Sequence, residues 1–278
     1  MNILMTGSSG PKVGQVVAQE LARRHALVGV DLQPGKNTRH LADISRVKDW
    51  RPLMRGMDAV VHFAALHAPH RTTHTRAHFE ATNVEATRKL LEAAKDSGVR
   101  RFVFASSTSA YGHALRPRDR AIWVTEELPS IAEDIYDETK LAAEALCREF
   151  HDANFRVMAL RFSRCFPEPL ERMVVYRLYR GVDAHDVAGA FLHAVNAEFD
   201  AFEIFNISGD TPFRPEDCEE LFRDAPGVLA RREPALVEAY AQHGWQLPKS
   251  IDRVYAIDKA KVKLAYQPRY GWRELAVG

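Results

Sequence analysis

Two groupings of side chains in this 278-residue sequence have the types and spacing to do chemistry. In "YDETK", Tyr136 and Lys140 stand four residues apart, so on a helix both side chains leave the same face. A phenol with a pKa of about 10 is a poor base at neutral pH, and a nearby ammonium favours its phenolate. Such a pair can take the proton from a hydroxyl group. The second grouping is "HAPHRTTHTRAHFE", in which His67, His70, His74 and His78 follow one another with gaps of three, four and four. Histidines stacked on one helix could ligate zinc, but they cannot close a tetrahedron without a ligand from elsewhere, and none is signalled. Arg71 and Arg76 among them also oppose a dication. The sequence therefore implies no metal here. His67 and His70 read as rim residues of a substrate site, and His74 and His78 as solvated helix residues.

The pair acts only where a fold positions it. Short apolar, β-branched runs, "NILMTG", "ALVGVD", "AVVHFAA", "RRFVFASS", "FRVMALRF" and "FEIFNIS", alternate with helical patterns at Val13–Arg24, His74–Ser97, Tyr136–Asp152 and Ala184–Asn196. Runs apolar throughout suit strands buried on both faces, so the fold class is α/β, a doubly wound parallel sheet. "ILMTGSSGPKVGQ" puts glycines between the first strand and a helix, where the backbone can approach a pyrophosphate at the helix N-terminus. Gly7, Gly10, Val13 and Gly14 are the contacts expected there. The second strand ends in Asp31, 24 residues after Gly7, where a carboxylate accepts both ribose hydroxyls of an adenosine and repels a 2′-phosphate. The cofactor implied is NAD rather than NADP.

In these motifs the chain resembles the extended short-chain dehydrogenase/reductase family, the NAD-dependent epimerase/dehydratase group. The resemblance runs from Met1 to about Ser208, through "TGSSGPKVG", the "VD" strand end, "LADI", "VVHFAAL", "NVEATRKLLEAA", "FASSTSAYG", "YDETK" and "GVDAHDVAGA". One departure is plain: the family spaces its glycines GxxGxxG, and here one extra residue widens the turn around Pro11 and Lys12. Lys12 is either a pyrophosphate contact or a solvated lysine. The resemblance implies that Asp43 and Ile44 flank the adenine, that Phe63, Ala64 and Ala65 line the cofactor cleft, that Asn83 sits near it, and that His67 lies over the cofactor. Asp43 could equally be a helix N-cap. It also implies that Ser107 holds the substrate oxygen while Tyr136 removes the proton and Lys140 binds the nicotinamide ribose. Ser106 and Thr108 read as packing neighbours.

The resemblance further separates the possible reactions. Dehydratases of the family carry Asp-Glu after the Ser/Thr, and Thr108-Ser109 stands here, so dehydration is not expected. Nucleotide-sugar epimerases carry Arg-x-x-Asn and a long segment before the "GVDAHDVA" region, whereas "RFSRC" and only about fifteen residues are found here. The stretch "SRCFPEPLERM" resembles bacterial uronate dehydrogenases, whose arginine binds a carboxylate. Arg172 matches that residue, with Arg164 a second candidate and a plain surface arginine the alternative. The sequence thus favours a dehydrogenase for a small sugar-like or hydroxy-acid substrate, with a nucleotide-sugar 4-epimerase as alternative and a non-catalytic NAD-sensing protein as the rival from another class.

Composition bounds the rest. The formal charge of +1 points to neither nucleic acid nor a membrane surface as partner. Cys147, Cys165 and Cys218, with no CxxC, do not make a disulfide frame. No signal peptide or membrane span is read, and a cytoplasmic protein is expected. A homodimer through the helices containing Asn83 and Tyr136 would follow the family. The expected division is residues 1–163 with 181–208 as the NAD-binding domain, and 164–180 with 209–278 as a small cap. Trp245, Arg253 and Tyr255 are candidates to line that cap.

Overall fold

The computed structural model describes residues 1–276. Seven strands form one parallel sheet: β1 (Asn2–Thr6), β2 (Ala26–Asp31), β3 (Thr38–Leu41), β4 (Ala59–His62), β5 (Arg101–Ser107), β7 (Arg156–Phe162) and β8 (Glu203–Ile207). Their order is β3-β2-β1-β4-β5-β7-β8, so the strand order reverses between β1 and β4. That is the switch point at which an open α/β sheet leaves a crevice beyond its carboxyl ends. The six apolar runs all became strands. The strand at the edge, "TRHL", did not announce itself, because it is short and three of its four residues are exposed. Two further short strands, β6 (Ile122–Val124) and β9 (Arg253–Tyr255), pair with each other away from the main sheet.

Helices cover both faces. One layer, with Val17, Leu21, Val187 and Phe191, packs on Ile3, Met5, Val61 and Val103. The other, with Leu90, Leu91 and Cys147, packs on Leu4, Val60, Phe102 and Ala159. The expected helix His74–Ser97 is interrupted: Arg76–Phe79 is followed by a wider π-helical stretch, Glu80–Glu85, before Ala86–Asp96 resumes the α form. A separate apolar cluster joins Val174, Val175 and Leu178 to Phe213, Leu221, Val228, Leu236 and Ile251, the region expected to form a cap. The chain does not stay there. Ile257, Ala260, Leu264 and Tyr266 pack back on the sheet cluster, because the helix Asp258–Leu264 lies against β8. Residues 277–278 of the expected cap lie outside the described residues.

Beneath the sheet's carboxyl end, Arg161 of β7 and Glu144 of the helix Ile135–Phe150 form a buried pair with side chains 4% and 5% exposed. Arg161 donates Nε to Glu144 Oε1 at 2.8 Å and Nη2 to Oε2 at 2.6 Å. Ser106 donates to Oε1 as well, at 2.5 Å. The guanidinium also lies 4.5 Å from the Tyr111 ring centre. A buried ion pair of this kind fixes geometry more than it adds stability, but breaking it strands a charge. Arg161→Met should therefore lower the free energy of unfolding by about 3–5 kcal/mol in urea titrations. Glu144→Gln with Arg161→Met together should recover a large part of the loss.

Candidate active site

The carboxyl ends of the strands open into one cleft of 1360 Å³. Its floor at β1 is built from glycine. Gly7 has φ +76°, and a Cβ there would stand 2.7 Å from the Ala64 amide nitrogen. A Cβ on Gly14 would stand 2.2 Å from the Gly7 carbonyl oxygen, so the turn can close only with glycine at both places. Gly10 is under no such pressure, since its added Cβ would meet nothing nearer than 3.6 Å. The helix Gly14–Ala22 starts from this turn and directs its N-terminus at the cleft. Asp31, at the end of β2, accepts the Ser9 amide at 2.8 Å and the Gln33 amide at 3.0 Å, which ties the strand end to the glycine turn.

Gly7, Gly10, Val13, Gly14, Asp31, Asp43, Ile44, Phe63, Ala64, Ala65, His67, His70, Ser107, Tyr136, Lys140 and Arg164 all line this cleft. Asp43 is not the N-cap of a helix. Its Oδ1 accepts the amide and hydroxyl of Ser45 at 3.0 and 2.7 Å and so caps a turn. Two expected residues are placed elsewhere. Asn83 is 2% exposed and does not face the cleft. It clamps the Leu66 backbone, accepting its N–H and donating to its carbonyl at 2.8 Å each, and donates to Thr139 Oγ1 at 3.0 Å. Arg172 lies on an exposed turn of the helix Leu170–Tyr176, where Glu168 Oε2 holds it at 3.1 Å. It lines a smaller neighbouring pocket instead of the cleft. Of the cap candidates, Arg253 and Tyr255 reach the cleft, and Trp245 packs against Tyr240 and His243.

Tyr136 opens the helix Ile135–Phe150, whose N-cap Asp134 accepts the amides of Tyr136 and Asp137 at 2.8 and 3.1 Å. Arg71 pairs with Asp134, so the histidine segment is fastened to the start of this helix. Lys140 lies one turn on, its Nζ donating to the Ala105 carbonyl at 2.8 Å and standing 5.9 Å from the Tyr136 ring centre. The sequence reading lowers the phenol's pKa through the ammonium and a positive nicotinamide ring together. From the chain's own groups, burial pushes Tyr136 up to about 12, with the Ser107 hydroxyl opposing that rise. Burial likewise lowers Lys140 to about 8, against the Glu144 charge that raises it. Burial thus favours Tyr136 as a neutral phenol, a proton donor, beside a Lys140 that is charged below about pH 8.

All four histidines line the cleft, His74 and His78 included, with ring centres 4.4, 5.3 and 5.6 Å apart along the series. Their spacing has a backbone cause. His70 Nδ1 accepts the His67 amide at 3.0 Å, and His78 Nδ1 accepts the Thr75 amide at 3.2 Å, each three residues back at the start of a short helix. A neutral imidazole thus does the work of the glutamate in a capping box. Both bonds leave Nε2 as the protonated nitrogen. Burial first, then neighbouring His70, holds His67 down to about 4, and burial and His74 lower His70. Among the described residues, no group of three or more His, Cys, Asp and Glu side chains could hold a metal ion. No described helix is long and apolar enough to cross a membrane.

The sequence reading missed Arg180 at the far end of the cleft. It and Arg253 share one carboxylate, Asp252, at 3.7 and 2.5 Å. Two guanidiniums on one aspartate leave a surplus positive charge, and Arg180 Nε is buried without a partner among the described residues. The one available signal was its place directly before "GVDAHDVA".

The model of the NAD dependent epimerase/dehydratase family matches residues 3–174. An uncharacterized UDP-glucose epimerase of Bacillus subtilis is 27% identical over 202 residues, 65% of this chain and 62% of that protein's length. The dTDP-glucose 4,6-dehydratase of Streptomyces antibioticus is 28% identical over 253 residues, 80% of this chain and 69% of its own. Among solved structures, a short-chain dehydrogenase/reductase superfamily protein of Agrobacterium tumefaciens with bound NAD gives a TM-score of 0.72 at 22% identity, covering 100% of this chain and 95% of that one. UDP-glucuronic acid 4-epimerase of Bacillus cereus with UDP-glucuronic acid and NAD gives 0.68 at 20%, covering 100% and 97%.

The lowered Lys140 value yields a pH test. Below about pH 8 the lysine is charged in both folded and unfolded chains, and burying that charge opposes folding. The opposition fades as pH rises from about 8 toward the ordinary 10.5. Lys140→Met should thus be more stable than the wild type at pH 7, by about 1–3 kcal/mol, and the gap should close above pH 8. A gap that does not change with pH would refute buried-charge destabilisation.

Proposed function

The chain belongs to the NAD dependent epimerase/dehydratase family, within the extended short-chain dehydrogenases/reductases, and from that premise we propose that it is an NAD-dependent oxidoreductase interconverting a secondary alcohol and a ketone on a sugar-type substrate that carries an anionic group. The observation that carries the reading is the convergence of Ser107, Tyr136 and Lys140 on the cleft that Gly7, Gly14 and Asp31 shape for a dinucleotide. NAD, when bound, supplies the hydride acceptor. The chain's residues supply the rest. Ser107 holds the substrate oxygen, Tyr136 exchanges its proton, and Lys140 favours the phenolate and anchors the ribose. Neither Thr108 nor Ser109, the two residues after Ser107, is a carboxylic acid, which argues against net dehydration.

The anionic group is inferred from Arg180 and Arg253. Their shared Asp252 leaves a net charge in the part of the cleft where the Arg180 carbonyl accepts the Arg164 amide just after β7, whereas Asp31 ends β2. A carboxylate or a phosphate suits that place. This pair replaces Arg172 as the candidate clamp. Within this reading, 4-epimerisation of a nucleotide sugar is the second possibility. It is favoured by the epimerases among the similar proteins, while the short stretch between Ser163 and Gly181 favours a smaller substrate.

The test is NADH formation with NAD over aldoses, uronic acids, polyols and hydroxy acids, alongside product analysis of nucleotide sugars. Net NADH identifies a dehydrogenase, and an isomerised sugar without net NADH identifies an epimerase. Either activity should fall at least about 100-fold in Tyr136→Phe. Neither activity, with NAD still bound, would leave a sensing role. Arg253→Leu should raise KM for the anionic substrate about 10- to 100-fold with kcat little changed, while Arg172→Ala should change neither.

A further inference from the structure

β1 leads into the glycine turn and β7 into the segment 163–169, and β4 and β5 lie between these two strands. Three strand spacings put the strand ends roughly 14 Å apart. Yet the Lys12 ammonium lies 4.8 Å from the centre of the Phe166 ring. The Arg164 guanidinium lies 5.8 Å from the same centre. All three residues line the cleft, so their contact arches over the crevice from one rim to the other.

The two footings differ. On the β7 side the segment is firmly held. Arg164 donates its amide to the Arg180 carbonyl at 3.1 Å and accepts the Val182 amide at 3.0 Å. Glu168 engages the side chains of both Arg164 and Arg172. On the β1 side Lys12 rides on the turn that the extra residue widens between Gly10 and Gly14. Phe166 is 40% exposed, held out of the core with its ring available to both cations. An aromatic face attracts a cation without neutralising it, so Lys12 can face a pyrophosphate while it stays on the ring, and the N-terminus of the helix Gly14–Ala22 attracts the same anion.

We propose that Lys12 and Phe166, the ring backed by the Arg164–Glu168 pair, form a bridge over the dinucleotide crevice, in which the ring holds the ammonium ready for the pyrophosphate and which must part for the cofactor to enter or leave. The inference rests on the NAD reading above and adds to it slow cofactor exchange. The widened turn then has a use: it gives Lys12 the reach to meet a residue on the opposite rim.

The experiment is stopped-flow NADH fluorescence on the full chain, measuring release from wild type, Phe166→Leu, Lys12→Gln and the double variant, with thermal unfolding of each as a check on folding. Both single variants should release NADH faster, by about three- to tenfold. The double variant should be no faster than the faster single one, because the two residues act through one contact. Release from Phe166→Leu at the wild-type rate would overturn the bridge even if Lys12→Gln bound NADH more weakly. A double variant whose effect equals the product of the single effects would overturn it as well. A wild-type chain that bound no NADH would overturn the underlying reading and the bridge with it.

Discussion

A buried polar chain running from Thr6 through His62 and Thr87 to Asn83 holds together the segments that frame the cleft. Thr87 donates its hydroxyl to the Asn83 carbonyl at 2.8 Å, so toward His62 Nε2, also 2.8 Å away, it has only a lone pair to offer. Nε2 must then carry the proton and Nδ1 must be bare. Thr6 donates to that bare nitrogen at 2.7 Å and accepts the amides of Phe63 and Ala64 at 3.2 Å each. Every hydrogen has one direction. Burial, with the Lys140 charge as a lesser cause, pushes His62 down to about 3, so the ring stays neutral and the directions persist. The Asn83 amide extends the chain to Leu66 and Thr139. In this way the end of β1, the loop after β4 and the helix bearing Tyr136 and Lys140 share one set of bonds. A member removed would leave its neighbours buried and unpaired, which is costlier than the bonds are worth in solution.

This chain also explains why Asn83 is absent from the cleft. The family resemblance associated it with the cofactor, and its actual contacts act one step back, on the backbone that presents Leu66 and His67. The π-helical stretch Glu80–Glu85 turns it inward. Such a local widening has no sequence signature that periodicity can detect, because it shifts the register of a helix without changing its composition.

Other parts were legible for clear reasons. Strands buried on both faces must be apolar throughout, and the six inner runs therefore stood out, while the exposed edge β3 did not. Gly7 and Gly14 were visible because no other residue fits where the turn folds on itself. Tyr136 and Lys140 were visible because helical spacing is a matter of arithmetic. Arg172 and Arg180 show the limit. Both precede or enter helical turns in an arginine-rich chain, and only the packing of 170–180 against 213–251 decides which one faces the cleft. The histidines were legible in part: His67 and His70 do stand at the cleft and His74 and His78 are exposed, but the spacing gave no sign that His70 and His78 cap the backbone at two successive helix starts.

Electrostatics ties the two ends of the cleft together. Asp31 and Asp43 place negative charge beside the glycine turn, where ribose hydroxyls can donate to it, and Arg180 and Arg253 place positive charge beyond β7. Between them Tyr136 and Lys140 are both moved toward their neutral forms by burial, the phenol upward and the ammonium downward. A phenolate is thus disfavoured even with a lysine one turn away, since desolvation and the charges of Asp137 and Asp134 act against it and the Ser107 hydroxyl offsets only part of that. A phenol in this state donates a proton to a ketone oxygen more readily than it removes one from an alcohol. For the reverse direction, further positive charge must reach the cleft before the substrate's proton can leave. On the proposed function, Tyr136 as acid, Arg180 and Arg253 as anion clamp and the glycine turn meet that requirement together, and the protonation state of Tyr136 answers to what occupies the crevice.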